Sequence, residues 1–312
     1  MFQGMEYVYE VYREKSFSKA ARNLFISQPS LSANIRRIEK RIGYPIFDRN
    51  TKPLGLTECG VEYIKSIERI LAVENDFTEF INDWGNLKKG SLILGGSSLF
   101  SSFVLPSLMG QFAAQYPKIQ LTLIEENTSK LQEMLLCGRL DLVLDNSIPD
   151  RHIFDYCTYG EEHLVLAVPA SFPINQKLME YQVSVDEIRS HNYLDSSIKH
   201  VPLNLFREES FVLLKQENDT GKRAIELCHQ NGFHPKVVFE LDQQLTSYNV
   251  TCSGMGISFI SDTLISRVTA NLDVVYYKLD EKIGTRKLFF YWKAGRYVSR
   301  AMDEFLHIVN KQ

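Results

Sequence analysis

The sequence predicts an α+β multidomain chain: an N-terminal winged helix-turn-helix, a long linker helix and a C-terminal two-lobed, Rossmann-like α/β body. Three observations predict it. The first 57 residues read as two short helices, a tight turn and a basic amphipathic helix, then a hairpin broken by Pro and Gly. The stretch 58–84 holds an apolar seam, one glycine and no proline. Beyond Gly90, strand-like and helix-like segments alternate. At 312 residues, 44% hydrophobic and 23% charged, the chain is ordinary in composition and long enough for two or three domains.

In the head, Phe2, Met5, Tyr9 and Tyr12 recur at spacings of three and four, which predicts a first helix. Ser18 is the expected N-cap of a short second helix over 19–24, where Ala20 and Ala21 allow a close crossing. Ser27 is the expected cap of the third helix. Pro29 falls in its first turn, where the missing N–H costs nothing, and Gly43 stops it after Ile42. Leu31, Ile35, Ile38 and Ile42 make one apolar stripe. The remaining faces carry Ser30, Ser32, Asn34, Arg36, Arg37, Lys40 and Arg41.

Small polar side chains at a helix start suit base edges, and arginines suit phosphates. A solvated helix of an unrelated bundle has the same spacing, so the pattern alone leaves both readings open. Residues 44–57 read as a β-hairpin wing, with Arg49 and Lys52 near its tip. Charge is uneven. Residues 1–57 hold ten Lys and Arg against five Asp and Glu, and the rest of the chain twenty-five against thirty-three. A basic head on an acidic body suggests that the head meets a polyanion.

The ordered run SFSKAARNL, SQPSLS, IRRIEKRIG, IFDR and LTECG resembles the DNA-binding domain of LysR-type transcriptional regulators. The resemblance implies that Gln28, Pro29, Ser30 and Ser32 open a recognition helix into the major groove of double-stranded DNA, with Ser18 on the helix before it and Arg49 in the wing. Ala33 departs from the long polar residue many members carry there, so base contacts would move toward Asn34 and Arg37. Phosphate contacts are expected from Arg36, Arg37, Arg41 and Arg49.

Thr57 is the expected cap of the linker helix, whose seam runs through Ile64, Ile67, Leu71, Phe77, Ile81 and Trp84. At about 40 Å, such a helix cannot bury its seam on a small head alone. A second copy is the simplest partner, and the resembled family dimerises through this helix. Residues 85–90 read as a hinge. The expected domains are 1–57 for the head, 58–89 for linker and hinge, and 90–312 for the body. Lobe 1 is expected over about 90–162 and 267–312, lobe 2 over about 163–266.

In the body, strands are expected at 91–95, 119–125, 141–145, 163–169, 237–240, 256–261, 274–279 and 287–292. Helices are expected at 101–116, from a cap at Thr128 through Cys137, near 185–189, and at 220–231, 244–253 and 298–310. GSLILG, LLCGRLDLVL and CSGMGISFIS extend the family resemblance over nearly the whole chain, although SFIS replaces the family's usual Leu-Pro after G-x-G-I. The resemblance implies an effector domain like a periplasmic binding protein, with Ser97, Ser98, Thr128, Asn146, Ser196, Ser197, Pro202 and Gly254 in its pocket. Hydroxyl-rich candidates beside helix starts point to a small organic acid as effector.

No G-x-S-x-G, P-loop or H-E-x-x-H occurs, and the seven histidines are scattered, so no catalytic, cofactor or metal site is expected. The five cysteines show no C-x-x-C spacing, which fits a reducing cytoplasm. No apolar run is long enough to span a membrane. The expected function is effector-modulated binding to an inverted-repeat operator as a homodimer or tetramer, with RNA polymerase a further candidate partner. An architectural DNA binder without ligand and an α/β enzyme are the alternatives.

Overall fold

The computed structural model describes residues 1–49, 51, 53–83, 90–280 and 284–310. Lys52, Trp84 and the expected hinge over 85–89 lie outside the described residues. The chain divides into two compact units, Met1–Ile81 with Leu136–Arg139, and Asn82–Leu135 with Leu140–Gln312.

The first unit contains α1 (Met5–Glu14), α2 (Phe17–Asn23), α3 (Gln28–Ile42), the antiparallel pair β1 (Phe47–Asp48) and β2 (Gly55–Leu56), and α4 (Glu58–Asp83). The α3 stripe is buried at Leu31, Ile35 and Ile38, in one core with Val8, Val11, Ala20 and Ala21. Ser27 caps α3, its Oγ accepting the Ser30 N–H at 3.3 Å. The cap of α2 is Ser16, not Ser18: Ser16 is the extended residue and its Oγ accepts the Lys19 N–H at 3.4 Å. Ser18 is left exposed in the first turn.

The helix α4 starts as expected at Thr57. Its Oγ1 accepts the Gly60 N–H at 2.9 Å and donates to the Pro45 carbonyl at 2.6 Å. A Cβ on Gly60 would lie 2.0 Å from the Ile46 carbonyl oxygen, so this close crossing admits only glycine. The seam expected to run the whole helix divides. Tyr63, Ile64 and Ile67 are buried in the head core, whereas Val73, Phe77, Phe80 and Ile81 are exposed.

The second unit begins with β3 (Gly90–Gly96), α5 (Ser98–Phe103), α6 (Leu105–Gln115), β4 (Ile119–Glu125), α7 (Thr128–Leu136) and β5 (Leu142–Asp145). Strands β4 and β5 flank β3 in parallel. The helix expected over 101–116 is two helices, because Pro106 has no N–H to return to an earlier turn; it sits instead in the first turn of α6. The cap of α7 is Asn127, whose Oδ1 accepts the Lys130 N–H at 3.0 Å, so Thr128 is the first helical residue and not the cap.

The strand β6 (Phe154–Pro169) joins two sheets, and only its second half is foreseen from the sequence. Then come α8 (Ile174–Lys177), β7 (Gln182–Val183), α9 (Val185–Arg189), β8 (Ser210–Leu214), α10 (Asp219–Gln230), β9 (Lys236–Leu241), α11 (Gln244–Cys252), β10 (Ser258–Ser261), α12 (Asp262–Arg267), β11 (Val274–Lys278), β12 (Thr285–Lys293) and α13 (Arg300–Val309). The first half of β6 pairs with β12, from Phe154 opposite Lys293 to His163 opposite Thr285. The second half pairs with β10 and β11. Because β11 also pairs with β7, it belongs to the second sheet, and the return to lobe 1 expected near 267 falls too early. Parallel strands β8 and β9 complete this lobe, joined to it by a bridge from Phe211 to Ile257. Among the described residues no helix is long and apolar enough to cross a membrane.

Candidate functional site

Two surfaces merit attention, one in each unit. On the head, packing of the α3 stripe fixes the direction of everything else on that helix. Gln28, Pro29, Ser30, Ala33, Arg36, Arg37, Lys40 and Arg41 are exposed, and Ser32 and Asn34 are half-buried. Asn34 Oδ1 accepts from Arg37 Nη1 at 3.4 Å. Arg49, on the wing, pairs with Glu39 at 3.2 Å and lies over the Phe17 ring. That carboxylate also accepts the Ile46 N–H at 2.9 Å, so Glu39 ties the wing to α3. In the turn before α3, Phe25 is 96% exposed at φ 54°, a left-handed conformation that non-glycine residues rarely adopt; nothing in the sequence pattern singles it out.

In the second unit a cleft of about 500 Å³ opens at strand ends. The first lobe contributes Ser97 and Ser98 after β3, Glu125 to Thr128 after β4, and Asp145 and Asn146 after β5. The second contributes Lys215 and Glu217 to Thr220 between β8 and α10, and Asp242 to Gln244 between β9 and α11. The structure therefore brings Ser97, Ser98, Thr128 and Asn146 together. It does not bring the other four expected residues to them. Ser196 and Pro202 line a separate hollow with Tyr181, Lys199 and His200. The Ser197 N–H bonds Asp195 at 2.8 Å, and Gly254 lies in a turn after α11 at φ 82°. The second wall is missed by sequence reasoning because β8 is missed, yet its signal is legible: FVLL followed by KQENDT is an apolar run ending at a helix start.

Behind the cleft lies a buried network. Arg286, on β12, donates from Nε to Glu162 at 2.8 Å and from Nη1 to Asp219 at 3.0 Å and Thr220 at 2.8 Å. Asn146 reaches Glu162 at 3.5 Å, and Gln244 reaches Thr220 at 2.9 Å. The guanidinium thus links β6 and β12 to the start of α10. Burial works against its charge, but Glu162 and Asp219 outweigh burial and push its pKa up. Gly221 lets α10 approach, since a Cβ there would stand 2.2 Å from the Leu214 carbonyl oxygen. Asp145 is fully enclosed; desolvation raises its pKa against bonds from Thr128, Asn146 and Ser147.

The lining bears on the chemical class of an effector. Six carboxylates, Glu125, Glu126, Asp145, Glu217, Asp219 and Asp242, face the cleft with a single ammonium, Lys215, which pairs with Asp242 at 2.9 Å. An organic acid would enter against like charge.

Two family models match this chain. One, described as a bacterial regulatory helix-turn-helix protein of the lysR family, covers residues 2–61. The other, a LysR substrate binding domain, covers residues 85–312. The chain belongs to the LysR family of transcription regulators. Both models describe parts of a regulator rather than an enzyme.

This LysR-family chain is 28% identical over 310 residues to an uncharacterized HTH-type transcriptional regulator, YcgK, of Bacillus subtilis, covering 97% of this chain and 92% of the relative. It is 28% identical over 298 residues to a probable RuBisCO transcriptional regulator of Cyanidium caldarium, covering 94% and 87%. Its fold is similar to a full-length OxyR variant from Pseudomonas aeruginosa, with TM-score 0.70, 19% identity and coverage of 98% and 93%. It is also similar to full-length CbnR complexed with its target DNA, with TM-score 0.66, 16% identity and coverage of 100% and 99%. As a LysR-family member it is built to join a DNA-reading head to an effector-binding body. Its five cysteines are free, and burial pushes the Cys228 thiol up to about 12, which leaves it protonated and unreactive near neutrality.

Proposed function

We propose that this regulator binds an inverted-repeat operator as a homodimer or dimer of dimers, and that a small molecule in the cleft changes how the heads sit on DNA. One observation carries the reading: α3 buries its isoleucine stripe and presents Gln28, Pro29 and Ser30 to solvent, with Arg36, Arg37 and Arg41 exposed along the same helix. That arrangement suits base edges at the helix start and phosphates along its length. Arg49 extends the basic surface at the wing. The exposed half of α4, with Val73, Phe77, Phe80 and Ile81, supports self-association. CbnR, of similar fold, has been solved with its target DNA, and the CcmR regulatory domain of Synechocystis with 2-PG. RNA polymerase is a further partner in this reading, recruited or excluded by the bound regulator in the cytoplasm.

Ligand binding acts only if one lobe arrangement holds the ligand better than the other. The Arg286 network ties β6 and β12 to the start of α10, an arrangement that a ligand in the cleft would favour or disfavour. Replacing Ser30→Ala together with Ser32→Ala is expected to erase operator selectivity, at about 1–3 kcal/mol for each base edge left unbonded, while circular dichroism stays unchanged. Footprints identical to the parent protein's would refute the recognition-helix assignment.

A further inference from the structure

We infer that the effector is an organic cation, a small amine whose ammonium groups are held between the carboxylates of the two lobes. The inference rests on the reading of the cleft as the effector site and adds its chemical class. The domain that contains the cleft matches a substrate-binding family model over residues 85–312, so the acidic lining is that of a ligand cavity and not of a bare surface patch.

The charges divide evenly. Glu125, Glu126 and Asp145 come from the first lobe, and Glu217, Asp219 and Asp242 from the second. Asp219 is committed to Arg223 at 2.9 Å and Arg286 at 3.0 Å, and Asp242 to Lys215. Glu125, Glu126 and Glu217 are exposed along the cleft. Directly behind the wall, Glu162 is wholly buried and paired with Arg286 at 2.8 Å, so this ion pair adds no net charge to the cleft.

Lys215, Arg223 and Arg286 are each paired with carboxylates, so the positive potential left at the cleft comes from helix starts. Those of α7 and α10 are already capped by Asn127 and Asn218. Each helix start carries about half a charge that fades within a turn, which is too little to reverse Glu125, Glu126 and Glu217 but enough to seat one anionic end of a zwitterion. Among the described residues no three His, Cys, Asp or Glu side chains converge as a metal-binding group, which favours an extended organic cation over a metal ion.

The same arrangement supplies the switch. Closing the lobes brings two acidic walls together, which costs free energy in the empty cleft. An amine between them removes that cost, so it binds the closed arrangement better than the open one. Calorimetry and thermal shift on the full-length protein with 1,4-diaminobutane, lysine, succinate and magnesium chloride test this. Binding of diaminobutane or lysine is expected, with a rise in Tm that succinate does not produce. The diamine and the amino acid distinguish a pure dication from a zwitterion. Glu126→Gln and Glu217→Gln, both at exposed positions, should each weaken amine binding about tenfold or more, whereas Glu226→Gln, outside the cleft, should not.

Binding of succinate without amines would overturn the charge assignment while leaving ligand sensing intact. An equal response to magnesium alone would overturn the organic class. Amine binding untouched by either cleft substitution would overturn the location, and no amine binding up to millimolar concentration would overturn the inference as a whole. The operator footprint, which needs no ligand, tests the regulator reading separately.

Discussion

Asp262 opens α12 where β10 ends, and only 2% of it is exposed. Its oxygens accept the His163 N–H at 3.0 Å, meet His163 Nδ1 at 3.0 Å and accept the Tyr193 hydroxyl at 3.0 Å. Burial alone would raise its pKa; these bonds outweigh burial and hold the carboxyl below its usual range. A lowered folded pKa contributes stability that is present above the unfolded value and is lost as pH falls through the folded one. The Tm advantage of the parent over Asp262→Asn is therefore expected at about pH 6 and should fade below about pH 4. A gap that does not narrow at all as pH falls below about 4 would show that the charge is not its source. At this scale the sequence is legible to within a residue or two. The runs SFS and ENT each offer competing caps, and Ser16 and Asn127 win because the surrounding packing decides which residue is extended.

Elements are more legible than caps. The recognition helix, the wing and the long α4 follow from periodicity, because each must bury one face whatever its neighbours are. What periodicity did not reveal is that the α4 seam divides in two. Its first half closes the head core at Tyr63, Ile64 and Ile67, and its second half leaves Phe77 and Ile81 bare. Phe77→Lys with Ile81→Lys should therefore weaken self-association by at least tenfold while the head still folds. Light scattering with size-exclusion chromatography measures it, and an unchanged oligomer would remove this stripe from the interface. Strand β8 is lost to sequence reasoning because five residues carry too little period to separate a strand from the end of a buried helix.

Across the whole molecule, the Arg286 network links residues far apart in the chain, with Glu162 from β6 and Asp219 and Thr220 from α10. Both charged side chains of the Arg286–Glu162 pair are fully buried. Replacing Arg286→Met strands Glu162 without a counter-charge, at an expected cost of about 3–5 kcal/mol, and adding Glu162→Leu should recover most of it. Chemical denaturation of the two variants measures both. If the double variant is no more stable than the single, the pair is not the source of the loss. Such a network cannot be read from composition or spacing, since neither Arg286 nor Glu162 stands in a motif.

By itself the sequence determined the family, the DNA-reading head and the order of most elements, because these depend on local periodicity, caps and a motif dense enough to have few alternatives. Only the tertiary structure decided which strand ends share a cleft and what charge that cleft carries. Carboxylates from four segments are distant in sequence, and their potentials add only after β6 has carried the chain from one sheet to the other.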